Sequence, residues 1–493
     1  MIRVGNSAVT YKDIIRVSDN KEKVALSNPA VLKISKTRNA LEEALRNRKI
    51  IYGVTTGFGA FKNTAIEEKD LKRLQENLIM SHAVGVGNLF DEKIVRAMMF
   101  VIANYLSKGH SGVRVAVVKT LIEMLNKNVI PLIPEKGSVG SSGDLAPSAH
   151  LILVMLGKGE AFYNGKKMTG KKALKLAKIK PVVLEAKEGL ALINNTSAMC
   201  AVASIALDKA TKLFDTANIS SALSAEALRA TTKAFDMRIH QIKPHPGQLL
   251  VAKRLNNLLK GSKMLDNSKT QDQYSIRCIP QIHGAVKDSI DHVEKILNIE
   301  LNSVTDNPLI FVNKKGDIDV ISGGNFHGEP IAIALDLLSI AVSELANISD
   351  RRISSLLYPA TNNGLPAFLT QNGGTNSGLM ILQYTTAALA SENKILAHPA
   401  SVDSIPTSAN VEDLVSMGTI AARKALEICK NVENVLAIEL LVASQAIDFR
   451  LKNNLKLGRE TGRIFKKIRE VVPFFKTDTI YYPYSDKIKA IFY

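Results

Sequence analysis

The sequence predicts a mainly α fold, a bundle of long helices with an N-terminal portion ahead of it and a few short strands. Three observations predict it. Apolar residues recur at helical spacing through the second half of the chain, and strand signals are confined to two short hairpins. The 493 residues are 46% hydrophobic and 22% charged with only 16 Pro, enough apolar chain for a large core with few helix breaks. That balance also excludes a mainly disordered chain, a collagen-like repeat and a small disulfide scaffold.

Taken in order, residues 160–168 straddle Asn164-Gly165, a hairpin turn signal. Helices are expected at about 198–215, 221–234 and 279–297, and residues 309–321 bend around Lys315-Gly316 as a second hairpin. Ile331, Leu335, Leu338, Val342 and Leu345 follow spacings of four, three, four and three, which lie on one face of a helix. A helix is expected at 377–397. Ile428, Val432, Val435, Ile438 and Val442 repeat the pattern inside a last long helix spanning about 412–451. Side-by-side helices of this length make a bundle. Two domains are expected, 1–215 and 216–493.

The chain carries 64 Lys and Arg against 46 Asp and Glu, a net charge of +18. The lysine-rich stretch 158–180 lacks the arginines and aromatics that bidentate contacts and base stacking use. It reads as a solvated hairpin and helix face, as do Lys466, Lys467 and Arg469, so no nucleic acid partner is expected. Arg3, Lys12, Asp13 and Arg16 interrupt any apolar leader at the N-terminus. Residues 353–391 contain no charged side chain and exceed the roughly 20 residues of a membrane span. Pro359, Pro366, Gly364, Gly373, Gly374 and five amides break it, so no membrane partner is expected, and the segment reads as the buried wall of a site. Cys200, Cys278 and Cys429 have no CxxC or metal-ligand spacing, which predicts reduced thiols, no metal and a cytoplasmic location.

The most unusual segment is Gly137-Ser138-Val139-Gly140-Ser141-Ser142-Gly143-Asp144. It lacks the GK[ST] ending of a P-loop, and Asp144 would repel a phosphate at the helix entrance. A plain Ser/Gly loop is the bland alternative. A third option has a chemical cause. In a sharp bend the Gly143 amide nitrogen attacks the Ser141 carbonyl carbon and water leaves, closing a five-membered ring. Glycine makes that approach easy because its nitrogen is flanked by no β-carbon. Dehydration of Ser142 then leaves an exocyclic methylene, a carbon electrophile no ordinary side chain supplies.

Here the residues reach a family. The stretch from Gly137 to His150, GSVGSSGDLAPSAH, resembles the signature of the aromatic amino acid ammonia-lyases, whose Ala-Ser-Gly becomes 4-methylidene-imidazol-5-one (MIO). Further stretches follow in the family's order. They are Tyr52-Gly-Val-Thr-Thr-Gly-Phe-Gly59, Ser81-His82 with Gly85-Val-Gly87, the run from Glu188 to Asn194, and Gln271-Asp-Gln-Tyr274-Ser-Ile-Arg277. Thr305-Asp-Asn-Pro308, Gly323-Gly-Asn-Phe326-His-Gly328, and Ser401 to Asn410 leading to Glu412-Asp413 complete them.

The resemblance implies an MIO formed autocatalytically from Ser141, Ser142 and Gly143 with no external cofactor, and a homotetramer with shared sites. Within the histidine-acting branch, it implies elimination of ammonia from L-histidine to give trans-urocanate. Tyr52 matches the tyrosine assigned the β-proton, and Tyr274 a second one near the amine. Arg277 suits the substrate carboxylate. Asn194 and Gln271 match polar contacts to substrate and MIO, and Phe326 the aromatic beside it. His82 and Glu412 match the branch that binds an imidazole. Taken singly, each tyrosine, amide or histidine reads as a packed or satisfied structural residue, and Glu412-Asp413 as a helix N-terminal charge pair. His327 and Glu329 lack the spacing of a metal-binding helix.

Five positions depart from the family pattern. Ser141 replaces Ala, but ring closure uses only its carbonyl. Asn195 replaces Gly, Ser197 replaces Gln, and Val411 and Leu414 replace the Gln and His that flank Glu412-Asp413 in the histidine enzymes. Whether amine or ring of the substrate attacks the methylene stays open. So do three other functions: an MIO enzyme acting on tyrosine, as lyase or 2,3-aminomutase; a fumarase/aspartase type of elimination enzyme, whose Met-Pro-x-Lys continuation is missing; and a basic helical nucleic-acid binder.

Overall fold

The computed structural model describes residues 1–47, 51–57, 59–61, 63–451 and 455–493. Helices dominate, and every strand among the described residues belongs to a sheet of two or three short strands. Both expected hairpins form. Glu160–Tyr163 pairs antiparallel with Lys166–Thr169, and Leu309–Val312 with Ile318–Ile321. The helical faces are buried as their spacing predicts. Ile331, Leu335, Leu338, Val342 and Leu345 are each at most 1% exposed, and Ile428, Val432, Val435 and Val442 are fully buried. Each such side chain contributes about 1.5–3 kcal/mol of burial.

Several boundaries differ from the sequence-based expectation. The helices expected at 198–215 and 221–234 are one helix, Ser197–Ala227. No Gly or Pro separates them, and Ala217, Asn218, Ser220 and Ser221 are buried. The helix ends where Arg229 turns left-handed and Thr231 caps a short 3-10 turn, Thr232–Phe235. The last long helix begins at Gly418, not near 412. Met417 is left-handed and donates its N–H to the Val139 carbonyl at 2.9 Å, so residues 412–417 form a loop. The helix expected at 377–397 spans Met380–Leu396.

The contacts divide the chain into two compact units. The first comprises Met1–Asp208, Glu294–Asp336 and Pro399–Arg423, and the second Lys209–Val293, Leu337–His398 and Lys424–Tyr493. These differ from 1–215 and 216–493. The first unit takes in two later segments because they carry Asn307, Phe326, His327 and Glu412 to the wall of a cavity it encloses.

The second unit has its own polar centre. Fully buried Arg352 makes a two-point ion pair with Glu439, at 2.5 Å and 2.9 Å. Ser220, Ser224 and Ser349 donate to the same carboxylate. A buried pair satisfied this fully holds its helices in one register without stranded charge. Residues 353–391 are not the wall of the cavity. Asn363 and Asn372 are left-handed turn residues, the Asn362 carboxamide oxygen accepts the Leu365 N–H at 3.0 Å, and residues 371–375 are exposed. The amides there close turns, a use composition does not distinguish from a binding role.

The lysine stretch lies on the hairpin and the helix Gly170–Leu176, with Lys158 paired to Glu76 and Lys167 to Glu160. Two helical stretches, Glu188–Ala227 and Glu329–Leu357, are long and apolar enough to cross a bilayer, but both are mostly buried within the protein.

Candidate active site

The first unit encloses a cavity of about 980 Å³ lined by Tyr52, His82, Ser141, Ser142, Asn194, Phe326 and Glu412, among others. These residues come from six separate places in the sequence. His82 is the last residue of the helix Leu71–His82, and Asn194 follows the helix Glu188–Ile193. Loop 137–144 runs from the strand Pro134–Lys136 to the helix Leu145–Met155.

That loop is braced on every side. Asp144 is fully buried; its carboxylate accepts the Ser138 hydroxyl at 2.9 Å, the Thr419 hydroxyl, and the Met199 N–H at 2.8 Å in the first turn of Ser197–Ala227. Burial pushes this carboxyl upward against those hydrogen bonds. The Ser416 hydroxyl donates to the Gly140 carbonyl at 3.1 Å. Further back, the Gly85 N–H donates to Nε2 of His150 at 3.0 Å, and burial lowers the pKa of His150, favouring the neutral form that accepts.

Gly143 tests whether the loop suits a backbone ring. Its φ is +74°, and a β-carbon there would lie 2.2 Å from the Asn195 carbonyl oxygen. The same oxygen accepts the Asp144 N–H at 2.6 Å. Only glycine fits, which is the requirement of the cyclisation chemistry. Asn195, where the family pattern has Gly, is outside the left-handed residues. Its side chain fixes the carbonyl instead: Oδ1 accepts the Ser197 N–H at 2.9 Å, and Nδ2 donates to the Leu192 carbonyl at 3.0 Å and the Tyr105 hydroxyl at 3.3 Å. Ser197 also meets the Ser148 hydroxyl at 3.3 Å.

Inside the cavity Ser142 is gripped at both ends. Asn194 Nδ2 donates to its carbonyl oxygen at 2.6 Å, and its hydroxyl donates to Glu412 Oε1 at 2.7 Å. Glu412 Oε2 accepts the Thr407 hydroxyl at 2.8 Å. The Tyr52 hydroxyl oxygen accepts the Gly59 N–H at 3.2 Å. Phe58, in the same motif, lies outside the described residues. Burial lowers the pKa of His82, with the Leu78 carbonyl and Glu412 pulling the other way. Its Nδ1 is 3.0 Å from the Ser81 hydroxyl.

Gln271, Tyr274 and Arg277 do not line this cavity. They belong to the second unit, where they form a cluster of their own. Arg277 Nη1 donates to Gln271 Oε1 at 2.7 Å, its guanidinium stacks 4.6 Å from the Tyr274 ring centroid, and Tyr274 is 69% exposed. Val411 and Leu414 do line the cavity and are exposed to it, so its wall is apolar there. His327 lines it too, its Nε2 3.4 Å from the Leu414 carbonyl. Sequence reasoning missed Thr407, Ser416 and Thr419. Thr407 lay inside a quoted motif; Ser416 and Thr419 carry no signal beyond ordinary helix-entry hydroxyls.

The family described as aromatic amino acid lyase matches residues 9–470. Histidine ammonia-lyase of Alkaliphilus oremlandii (strain OhILAs) is 52% identical over 484 residues, 98% of this chain and 94% of that protein. The crystal structure of histidine ammonia-lyase from Trypanosoma cruzi is similar at a TM-score of 0.92 and 42% identity, covering 100% of this chain and 93% of its own. Phenylalanine aminomutase of Pantoea agglomerans reaches a TM-score of 0.95 at 36% identity, covering 99% and 98%. Backbone shape is thus shared between lyase and mutase, and the higher identities are to enzymes named for histidine.

Proposed function

This chain belongs to the aromatic amino acid lyase family, and from that premise we propose that it eliminates ammonia from L-histidine to give trans-urocanate. The observation that carries the proposal is the single cavity gathering Ser142, His82, Glu412 and Tyr52, in a chain 52% identical to a histidine ammonia-lyase.

Ser141, Ser142 and Gly143 would form and hold the MIO, with Asn194 on the Ser142 carbonyl and the Asp144–Asn195 contact behind it. When formed, MIO supplies a carbon electrophile that activates the substrate for loss of ammonia. Tyr52 takes the β-proton, a role supported by its place in the cavity wall with Ser142 and worth about 10²- to 10⁴-fold. His82 and Glu412 receive the imidazole. Burial favours the neutral form of His82, which both donates and accepts. Phe326 packs beside the prosthetic group.

Gln271, Tyr274 and Arg277 serve the site of a neighbouring copy in a homotetramer. The exposure of Gln271 and Tyr274 and the cluster they form with Arg277 support this, as does the absence of any arginine or lysine among the described residues that line the cavity to hold the substrate carboxylate. Arg277 binds that carboxylate as a fork, and Tyr274 lies near the amine. A cytoplasmic location suits three cysteines that form no disulfide.

Leu414 gives the cavity an apolar wall, which keeps a tyrosine- or phenylalanine-acting lyase or a 2,3-aminomutase as the alternative to test. Purified protein incubated separately with L-histidine, L-tyrosine and L-phenylalanine should release urocanate from the first. Coumarate or cinnamate without urocanate overturns the assignment, and a β-amino acid product identifies a mutase.

A further inference from the structure

Glu412 has a partner before any substrate arrives. The atom it holds, Ser142 Oγ, is the one that must leave if the loop is to become an electrophile. We infer that Glu412 is the acid that removes the Ser142 hydroxyl as water, a catalytic act on the chain itself that precedes its contact with substrate. The inference rests on the proposed conversion of Ser141-Ser142-Gly143.

Loss of water from serine meets two obstacles. Its Cα–H is not acidic, and hydroxide is a poor leaving group. The structure addresses both at one residue. Asn194 Nδ2 lies 2.6 Å from the Ser142 carbonyl oxygen, where negative charge gathers as the Cα proton departs. Glu412 Oε1 lies 2.7 Å from Oγ, within proton-transfer reach. The Cα–H bond breaks, its electron pair forms the Cα=Cβ bond, and the Cβ–Oγ bond breaks. Oγ leaves as water, carrying its own proton and the one that Glu412, in its protonated form, delivers across the same 2.7 Å contact with the hydrogen bond reversed. The Cα proton passes into the cavity water, from which Glu412 is reprotonated, so no oxidant or co-reactant is consumed.

The carboxyl group is aimed by construction. Thr407 donates its hydroxyl to the other oxygen at 2.8 Å, and the backbones of Thr407 and Glu412 are paired at 2.9 Å and 3.3 Å. Of the four residues between them, Ser408, Ala409 and Asn410 are left-handed, with φ of 52°, 53° and 65°. Three consecutive non-glycine residues in that region cost about 1–2 kcal/mol each, and such conformations persist where surrounding structure over-determines them. Once Oγ has gone, Oε1 is released for the imidazole. One carboxyl group therefore acts twice, first on the chain and then on substrate.

The test is intact-mass analysis of the full-length protein after folding, comparing wild type with Glu412→Gln, Glu412→Ala and Thr407→Val. Wild type should lack the mass of two waters. Glu412→Gln, which keeps the side chain's shape, should arrest lacking one water, with the second lost at least about 100-fold more slowly. Glu412→Ala should do the same, and Thr407→Val should convert slowly but completely. Glu412 variants that lose both waters at the wild-type rate overturn the inference. So do folded variants that lose neither, which would put Glu412 at ring closure. A wild-type protein of unmodified mass sinks the conversion itself, a separate failure.

Discussion

Loop 137–144 and segment 271–277 carry comparably recognisable sequence patterns, yet the fold treats them oppositely. The first is buried and tied by Asp144, Asn195, Ser416 and Thr419, so that little about its backbone is free. The second presents Gln271, Gln273 and Tyr274 to solvent, and its ties to the rest of the chain include Asp272, which accepts the Thr231 N–H at 2.6 Å, and Gln273, whose Oε1 accepts the Ser355 hydroxyl at 2.5 Å. The difference separates the two tasks proposed for them. Closing a ring from backbone atoms needs a cradle that only the chain's own core supplies. Binding a carboxylate needs only side chains presented to whatever docks there.

The largest expected effects break the first region. Ser142→Ala should bring turnover below detection with an unchanged circular dichroism spectrum, since no other residue supplies the methylene. Gly143→Ala should do the same and prevent the mass loss, because its β-carbon meets the Asn195 carbonyl at 2.2 Å. Retained activity in either variant contradicts the self-made electrophile.

Next come changes in the second region. Tyr274→Phe should lower kcat by about 10²- to 10⁴-fold. With 69% exposure, its stability should stay within about 0.5 kcal/mol of wild type. Arg277→Ala, inactive with a low kcat/KM, should regain activity when refolded together with Ser142→Ala. Mixed assemblies that stay as inactive as the parents rule out sites shared between copies.

The contrast in stability is measured at Lys187. It pairs with Asp306 at 2.9 Å with both side chains fully buried, so Lys187→Met should cost about 3–5 kcal/mol in denaturant unfolding. A cost as small as that of Tyr274→Phe would mean that the first unit is no more tightly determined than the exposed segment.

The smallest effect is pH-linked. Burial, with Arg352 adding to it, holds His283 well below its ordinary range. The unfolded chain binds this proton near pH 6.5, and the folded chain refuses it. Stability is therefore fully present above about 6.5 and declines as pH falls through that value toward the lower folded pKa. Melting temperature should drop less between about pH 7.5 and 5 in His283→Gln. An equal drop in both proteins assigns the acid sensitivity elsewhere.

How much was legible followed from range. The helical faces around Leu338 and Val435 were readable because period and burial are local properties. Helix ends were less so. Nothing near Asp215 distinguishes a break from the continuous helix Ser197–Ala227, and nothing near Glu412 marks residues 412–417 as loop. Ser142, Tyr52, His82, Asn194, Phe326 and Glu412 were each named from motifs, but their meeting in one cavity was not visible in any of them. The uncharged stretch 353–391 looked like a site wall and proved to be the end of one helix and the start of another, joined by turns.

By itself, then, the sequence determined the helical class and singled out the triplet Ser141-Ser142-Gly143 and the residue types the proposed chemistry needs, because composition, period and backbone chemistry are written locally. Only the tertiary structure decided that Glu412 meets Ser142 across 270 residues, that Asn195 blocks any side chain at Gly143, and that Tyr274 and Arg277 do not line that cavity. Those facts depend on long-range packing, in which a contact exists only when distant segments are fixed together, and no local pattern encodes that distance.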